Sequence, residues 1–220
     1  MNIFLTGTDT GVGKTFTAVQ LLRVARGAGL RCVGMKPICC GDRHDAELLL
    51  AASSEVLTID EVNPVWLRTP AAPFAASLIE QVTVEPARLI EAFERLRKRF
   101  DFVVVEGVGG WLVPIQRDYF VSDLAVEMKS PVIVVVRNRL GCLNHTMLTL
   151  RSIAASGLDC AGIVWNDAGG TADIAATTNA DILQRLGVTP ILTQLTENII
   201  ELPAAWQAIL AWNSKPSSSA

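Results

Sequence analysis

Long apolar runs are missing from this chain of 220 residues, although half of it is hydrophobic. No stretch reaches the roughly 20 apolar residues that a membrane-spanning helix needs. The N-terminus enters its first apolar segment without a charged leader or a cleavage-site pattern, so a cytoplasmic protein is expected. Cysteine is scarce and odd in number. Cys32, Cys39, Cys40, Cys142 and Cys160 contain no Cys-x-x-Cys pair, which leaves no basis for a disulfide framework or a zinc site. Cys39 and Cys40 are adjacent, a poor spacing for chelating one metal, and read as reduced loop residues. Basic runs are absent as well. A net charge of −3 and a pI near 5.4 argue against a general nucleic-acid binder. The one cationic cluster, Arg95, Arg97, Lys98 and Arg99, suits the last turn of a helix, where cations complement the dipole. His145, one of two histidines, has no partner at ligand spacing and is assigned no chemistry. With no internal repeat and no linker, the length favours a single domain over 1–212, followed by a Ser- and Pro-rich stretch, 213–220, expected to be disordered.

What is present is a glycine-rich turn in a strand–helix context. Gly7-Thr-Asp-Thr-Gly-Val-Gly-Lys-Thr15 follows the apolar run Ile3-Phe4-Leu5 and precedes residues at helical spacing. Glycines let backbone N–H groups turn toward an anion, and a helix N-terminus adds unsatisfied donors and partial positive charge. Lys14 can then reach outer phosphate oxygens while Thr15 ligates magnesium. The match to the standard phosphate loop is imperfect, because Thr8 stands at its first position and Gly7 lies one residue too early.

Beyond the loop, apolar periodicity predicts a helix over 17–28, a strand over 32–35, helices over 42–53 and 86–99, and a buried strand over 102–105. A helix over 121–128 and a strand over 131–136 follow. Residues 139–145 read as a loop opening a helix that runs to about 155. Next come a strand over 161–165, a helix over 173–186, a short strand over 190–192 and a helix over 203–212. The proline-rich segment 63–73 reads as an irregular loop over the sheet edge. Strands alternating with helices indicate an α/β fold, a doubly wound and mainly parallel sheet with ligands at its carboxyl edge. Lys36 falls at that edge, where it fits a surface lysine as well as a phosphate partner. Asp45 falls in a first helical turn, where it fits a dipole complement as well as a metal ligand. Glu106 ends a strand and is followed by three glycines within four residues, a placement suited to holding magnesium. The helix start near Gly141 to Asn144 offers a second anion site.

Four segments together resemble the dethiobiotin synthetase family, a phosphate-loop NTPase-like group: residues 7–15, Lys36-Pro37, Val105-Glu-Gly-Val-Gly-Gly-Trp111, and Leu140-Gly-Cys-Leu-Asn-His145. The resemblance implies a cytoplasmic homodimeric ligase of biotin biosynthesis. Such an enzyme converts 7,8-diaminononanoate, CO2 and ATP into dethiobiotin, ADP and phosphate with Mg2+, without nucleic-acid or membrane partners. It implies catalytic roles for Lys14, Lys36 and Thr10. ATP would contact Asp9, Thr10, Gly11, Val12, Gly13, Lys14, Thr15 and Phe16, with Asn166 at the adenine. Substrate would contact Thr10, Lys36, Cys40, Val108, Gly109 and Gly110, with Gly141 and Asn144 taking the carboxylate across the dimer interface. The metal would be held by Thr15, Asp45 and Glu106. Four departures stand out. Gly11 and Cys40 replace a frequent glutamate and serine, Ala72-Pro73-Phe74 replaces Ser-Pro-His, and Gln194-Leu195-Thr196 replaces a proline-containing stretch near the base.

Two rival readings share parts of this pattern. A dimeric partitioning-type ATPase switch would carry a second lysine early in the loop, where Asp9 stands, and would need a basic or amphipathic surface. An ATP-dependent amide ligase of a cofactor pathway is closer in chemistry.

Overall fold

The structure is a computed structural model that describes residues 1–167, 174–187 and, as a backbone strand, 191–195. The chain runs β1 (Asn2–Gly7), α1 (Lys14–Gly27), β2 (Cys32–Met35), β3 (Ile38–Cys40), α2 (His44–Ala52), α3 (Ile59–Val62), β4 (Val65–Leu67), α4 (Pro73–Glu80) and α5 (Pro86–Arg99). It continues through β5 (Phe102–Glu106), β6 (Pro114–Gln116), β7 (Tyr119–Phe120), α6 (Val121–Glu127), β8 (Val132–Arg137), α7 (Cys142–Ala155), β9 (Cys160–Asn166), α8 (Ile174–Arg185) and β10 (Ile191–Leu195).

Six parallel strands form the central sheet in the order β10-β9-β8-β1-β5-β2. Because side chains alternate across a strand, the continuous apolar runs feed two cores. Phe4, Val103, Val105 and Val134 pack with α5, α6 and α7 on one face, while Ile3, Leu5, Val104 and Val135 pack with α1 and α2 on the other. On α5 the buried stripe is Leu89, Ala92, Phe93 and Leu96, each large side chain contributing about 2 kcal/mol by its burial. The cations Arg97, Lys98 and Arg99 fall in its last turn. No helix among the described residues is long and apolar enough to cross a membrane.

The topology puts the ligand side at β1. Its two neighbours lie on opposite sides, β8 on one and β5 on the other, so successive crossovers diverge there and leave a crevice at the carboxyl edge. In register, Leu5 faces Glu106 across β1 and β5, and Val105 faces Met35 across β5 and β2. The phosphate loop, Glu106 and Lys36 therefore emerge side by side, although they are far apart in sequence.

Several expectations differ from the structure. The segment 63–73 is not an irregular loop throughout: Val65–Leu67 forms β4, parallel to β3, and Pro73 opens α4. Proline at a first helical position starts a helix, because its missing N–H would have no intrahelical partner there. Cys39 and Cys40 lie in β3 rather than in a loop. Residues 142–145 belong to α7, and α1 begins at Lys14 rather than Thr17, since a glycine N-cap admits helix directly after the turn. The last sheet strand among the described residues is Ile191–Leu195 rather than 190–192. The expected helix over 203–212, the tail 213–220 and Thr196 lie outside the described residues.

Candidate functional site

Gly13 caps α1 with φ 99° and ψ 25°, a left-handed conformation that an L side chain adopts only with strain. A Cβ there would lie 2.3 Å from Asn166 Nδ2, which donates to Val12 O at 2.8 Å. The loop is thus turned by glycine and braced by Asn166 from the end of β9. Gly13→Ala should destabilise the fold by about 2 kcal/mol. Urea unfolding checks this, and an unchanged midpoint would contradict the account.

From this start Lys14 and Thr15 project into a cleft of about 790 Å3, lined among others by Thr10, Gly11, Phe16, Lys36, Cys40, Asp45 and Glu106. Lys14 is 6% exposed, and its Nζ donates to Asp9 O at 3.0 Å. Burial, aided by repulsion from Lys36, lowers its pKa to about 8, a desolvated cation that a phosphate oxygen would relieve. Thr15 Oγ1 lies 2.8 Å from Asp45 Oδ1 and 2.9 Å from Glu106 Oε1. One hydroxyl proton can serve only one of these carboxylates at a time.

Lys36 completes the cluster. It is 4% exposed, and its Nζ donates to Asp45 Oδ2 at 2.7 Å and to Glu106 Oε1 at 2.5 Å. Burial opposes its charge, but the two carboxylates outweigh burial and hold its pKa above that of an ordinary lysine. For Asp45, burial is likewise outweighed by Lys36, so its carboxyl is held below the usual range. Glu106 is 1% exposed, and its Oε2 is buried without a hydrogen-bond partner among the described residues. One hydroxyl and two carboxylates, one of them with a buried unsatisfied oxygen, stand together beside a phosphate loop, a hard-oxygen donor set that fits magnesium.

The glycine run after β5 approaches the same loop. A Cβ on Gly109, whose φ is 63°, would sit 2.8 Å from Val113 and 3.6 Å from Thr10 Oγ1, and one on Gly110 would sit 3.5 Å from Gly7 O. Trp111, buried against Phe4 with ring centroids 6.3 Å apart, anchors the run. Gly109 is thereby brought to Thr10 and Gly110 to the backbone of Gly7, while Val108 lines the cleft beside them. Cys40 lines the cleft as a neutral thiol, since burial pushes its pKa to about 11.

Not every expected residue meets the cleft through its side chain. Val12 is buried in the core on the α1 side and offers only backbone. Asp9 accepts from Thr10 N at 2.7 Å and from Arg139 Nη2 at 3.2 Å. Asn166 meets the loop at Val12 O. Gly141 and Asn144 sit exposed at the start of α7, outside the cleft lined by one chain. Sequence reasoning missed Arg139, and with it the buried pair Asn138 and Asn179. The only available signal was Arg139's position next to Leu140-Gly-Cys-Leu-Asn-His145.

Comparison with known proteins shows the family to which the chain is similar. A family model described as an AAA domain matches residues 1–199. The ATP-dependent dethiobiotin synthetase BioD of Akkermansia muciniphila is 43% identical over 88% of this chain and 91% of its own length. That of Aromatoleum aromaticum is 45% identical over 86% of this chain and 87% of its own. Among solved structures, the septum site-determining protein MinD of Pyrococcus horikoshii, complexed with Mg-ADP, superposes with a TM-score of 0.57. It covers 90% of this chain and 81% of its own at 16% identity, so the likeness shows a shared fold alone.

Proposed function

The chain belongs to the ATP-dependent dethiobiotin synthetase family and is a ligase that forms a C–N bond; from that premise we infer how its residues divide the work. The substrates are 7,8-diaminononanoate, CO2 and ATP, and the products dethiobiotin, ADP and phosphate. The observation that carries this reading is the convergence of Lys14, Lys36, Thr15, Asp45 and Glu106 in one cleft beside a glycine-rich loop.

One substrate amine takes up CO2 as a carbamate. The carbamate oxygen attacks the γ-phosphorus of ATP and ADP leaves. The second amine then attacks the mixed anhydride, releasing phosphate and closing the cyclic urea. Lys14 offsets charge on the γ-phosphoryl group, and the backbone N–H groups of residues 9–16 cradle the phosphates. Lys36, steered by its two carboxylates, faces the carbamate. Thr10 and the backbone of Val108, Gly109 and Gly110 position the diamine, with Cys40 on the adjoining wall. Thr15, Asp45 and Glu106 would hold Mg2+, which when bound neutralises phosphate charge. Asn166 meets the adenine edge, its amide offering both donor and acceptor.

Asn144 and Gly141 take the substrate carboxylate in the partner's site of a homodimer. Exposed Leu112, Leu140 and Leu148, at 59%, 79% and 59%, support that arrangement, since Leu140 and Leu148 flank Asn144. Small molecules and a second copy are then the partners, in the cytoplasm, and the net charge of −3 supports the exclusion of nucleic acid. Asn144→Ala should raise KM for the diamine about tenfold, the worth of one hydrogen bond to a charged group, with KM for ATP unchanged. Equal effects on both would remove the carboxylate role. The whole reading is tested by incubation with ATP, Mg2+, bicarbonate and 7,8-diaminononanoate. Mass analysis should find the cyclic urea; ATP consumed without it would overturn the reading.

A further inference from the structure

Behind the phosphate loop lie two buried amides, Asn138 and Asn179, that no step above uses. Asn138, 6% exposed, directly follows β8. Its backbone N–H donates to Asn166 O at 2.8 Å, and its Nδ2 donates to Asp167 Oδ1 at 2.6 Å and to Ala176 O at 2.7 Å. Asn179 on α8, 4% exposed, donates through Nδ2 to Asn138 Oδ1 at 3.0 Å, and to Arg139 O and Cys142 Sγ, both at 3.3 Å. Asn166 reaches Val12 O and Arg139 reaches Asp9. Together these contacts run from one side of the loop around to the other.

A buried amide costs free energy unless both its donor and its acceptor are bonded, and a Leu or Val would fill the same space without that requirement. Satisfied amide networks instead select one arrangement of the segments they join. The segment joined here most tightly is Asn166-Asp167. Asn138 holds the first of these residues by backbone and the second by side chain, on the outer flank of the loop. We propose that Asn138 is a positioning residue for the nucleotide base: it sets Asn166-Asp167 against the phosphate loop without touching the nucleotide. This rests on the adenine placement proposed above.

The test separates base from phosphate. Calorimetric Kd values for ATP and for inorganic tripolyphosphate are measured on the full chain and on Asn138→Leu. ATP should weaken about tenfold, the worth of about one hydrogen bond, while tripolyphosphate stays within about twofold. Parallel weakening of both would mean general loss of structure and would overturn the inference, as would unchanged ATP affinity. Should Asn138→Leu fail to fold, Asn179→Leu removes the donor to Asn138 Oδ1 and should weaken ATP alone by about threefold; no ATP-specific loss there is equally fatal. Both readouts are equilibrium binding, so failure of the synthetase reading would register separately, in the product assay.

Discussion

Lys14→Gln should lower kcat for cyclic-urea formation about a thousandfold, the upper end for losing one preorganised donor to developing charge. The expectation is large because of where the ammonium sits. Its stem leaves the first turn of α1, its head is held at Asp9 O, and burial has lowered its pKa to about 8. A cation already stripped of water gains more from a phosphoryl oxygen than a solvated surface lysine would. Glutamine keeps much of the stem but has no charge. Steady-state kinetics with ATP and the diamine provide the measurement. A variant within fivefold of wild type would remove residues 7–15 from the chemistry.

Glu106→Gln carries the second large effect, on stability and on metal together. Its carboxylate and the Lys36 ammonium are both almost fully buried and 2.5 Å apart. Removing one partner of such a pair typically costs 3–5 kcal/mol, because the other charge stays buried. Lys36 retains Asp45 at 2.7 Å, whose side chain is 44% exposed, so the lower end, about 3 kcal/mol, is expected. The Mg2+ concentration for half-maximal activity should rise at least about tenfold, since the loss removes a charged oxygen ligand. An unchanged metal titration would exclude Glu106 as a ligand. Lys36→Met combined with Glu106→Leu separates the two effects. Asp45 then loses its ion pair, but its side chain is 44% exposed and water can solvate it; with no fully buried charge left unpaired, stability should recover much of the loss, while turnover should not.

The comparison between sequence and structure divides along physical lines. The strands were legible because Phe102–Val105 and Val132–Val136 are continuous apolar runs, as strands buried on both faces must be. The segment Val65–Leu67 was not, because three residues beside prolines carry no period, and it is strand only because Ile38–Cys40 lies alongside it. In the site, Lys14 and Thr15 could be read from their spacing to the glycines. Asp45 could not, since a first-turn aspartate suits any helix; it enters the cluster because α2 packs beside α1 and β2. Asn138 and Asn179 gave no signal at all, because polar residues at a strand end and mid-helix ordinarily face water.

What the sequence alone determined is the local machinery: a strand, a glycine turn and a helix start, whose donors are contiguous in the chain and need only backbone conformation to converge. It also determined the α/β alternation, through the periods of its apolar residues. The tertiary structure decided which distant charges meet. By inserting β5 between β1 and β2, the sheet brings Glu106 between the phosphate loop and Lys36. Strand order depends on contacts between residues far apart in the chain, and those leave no periodic trace in any one segment.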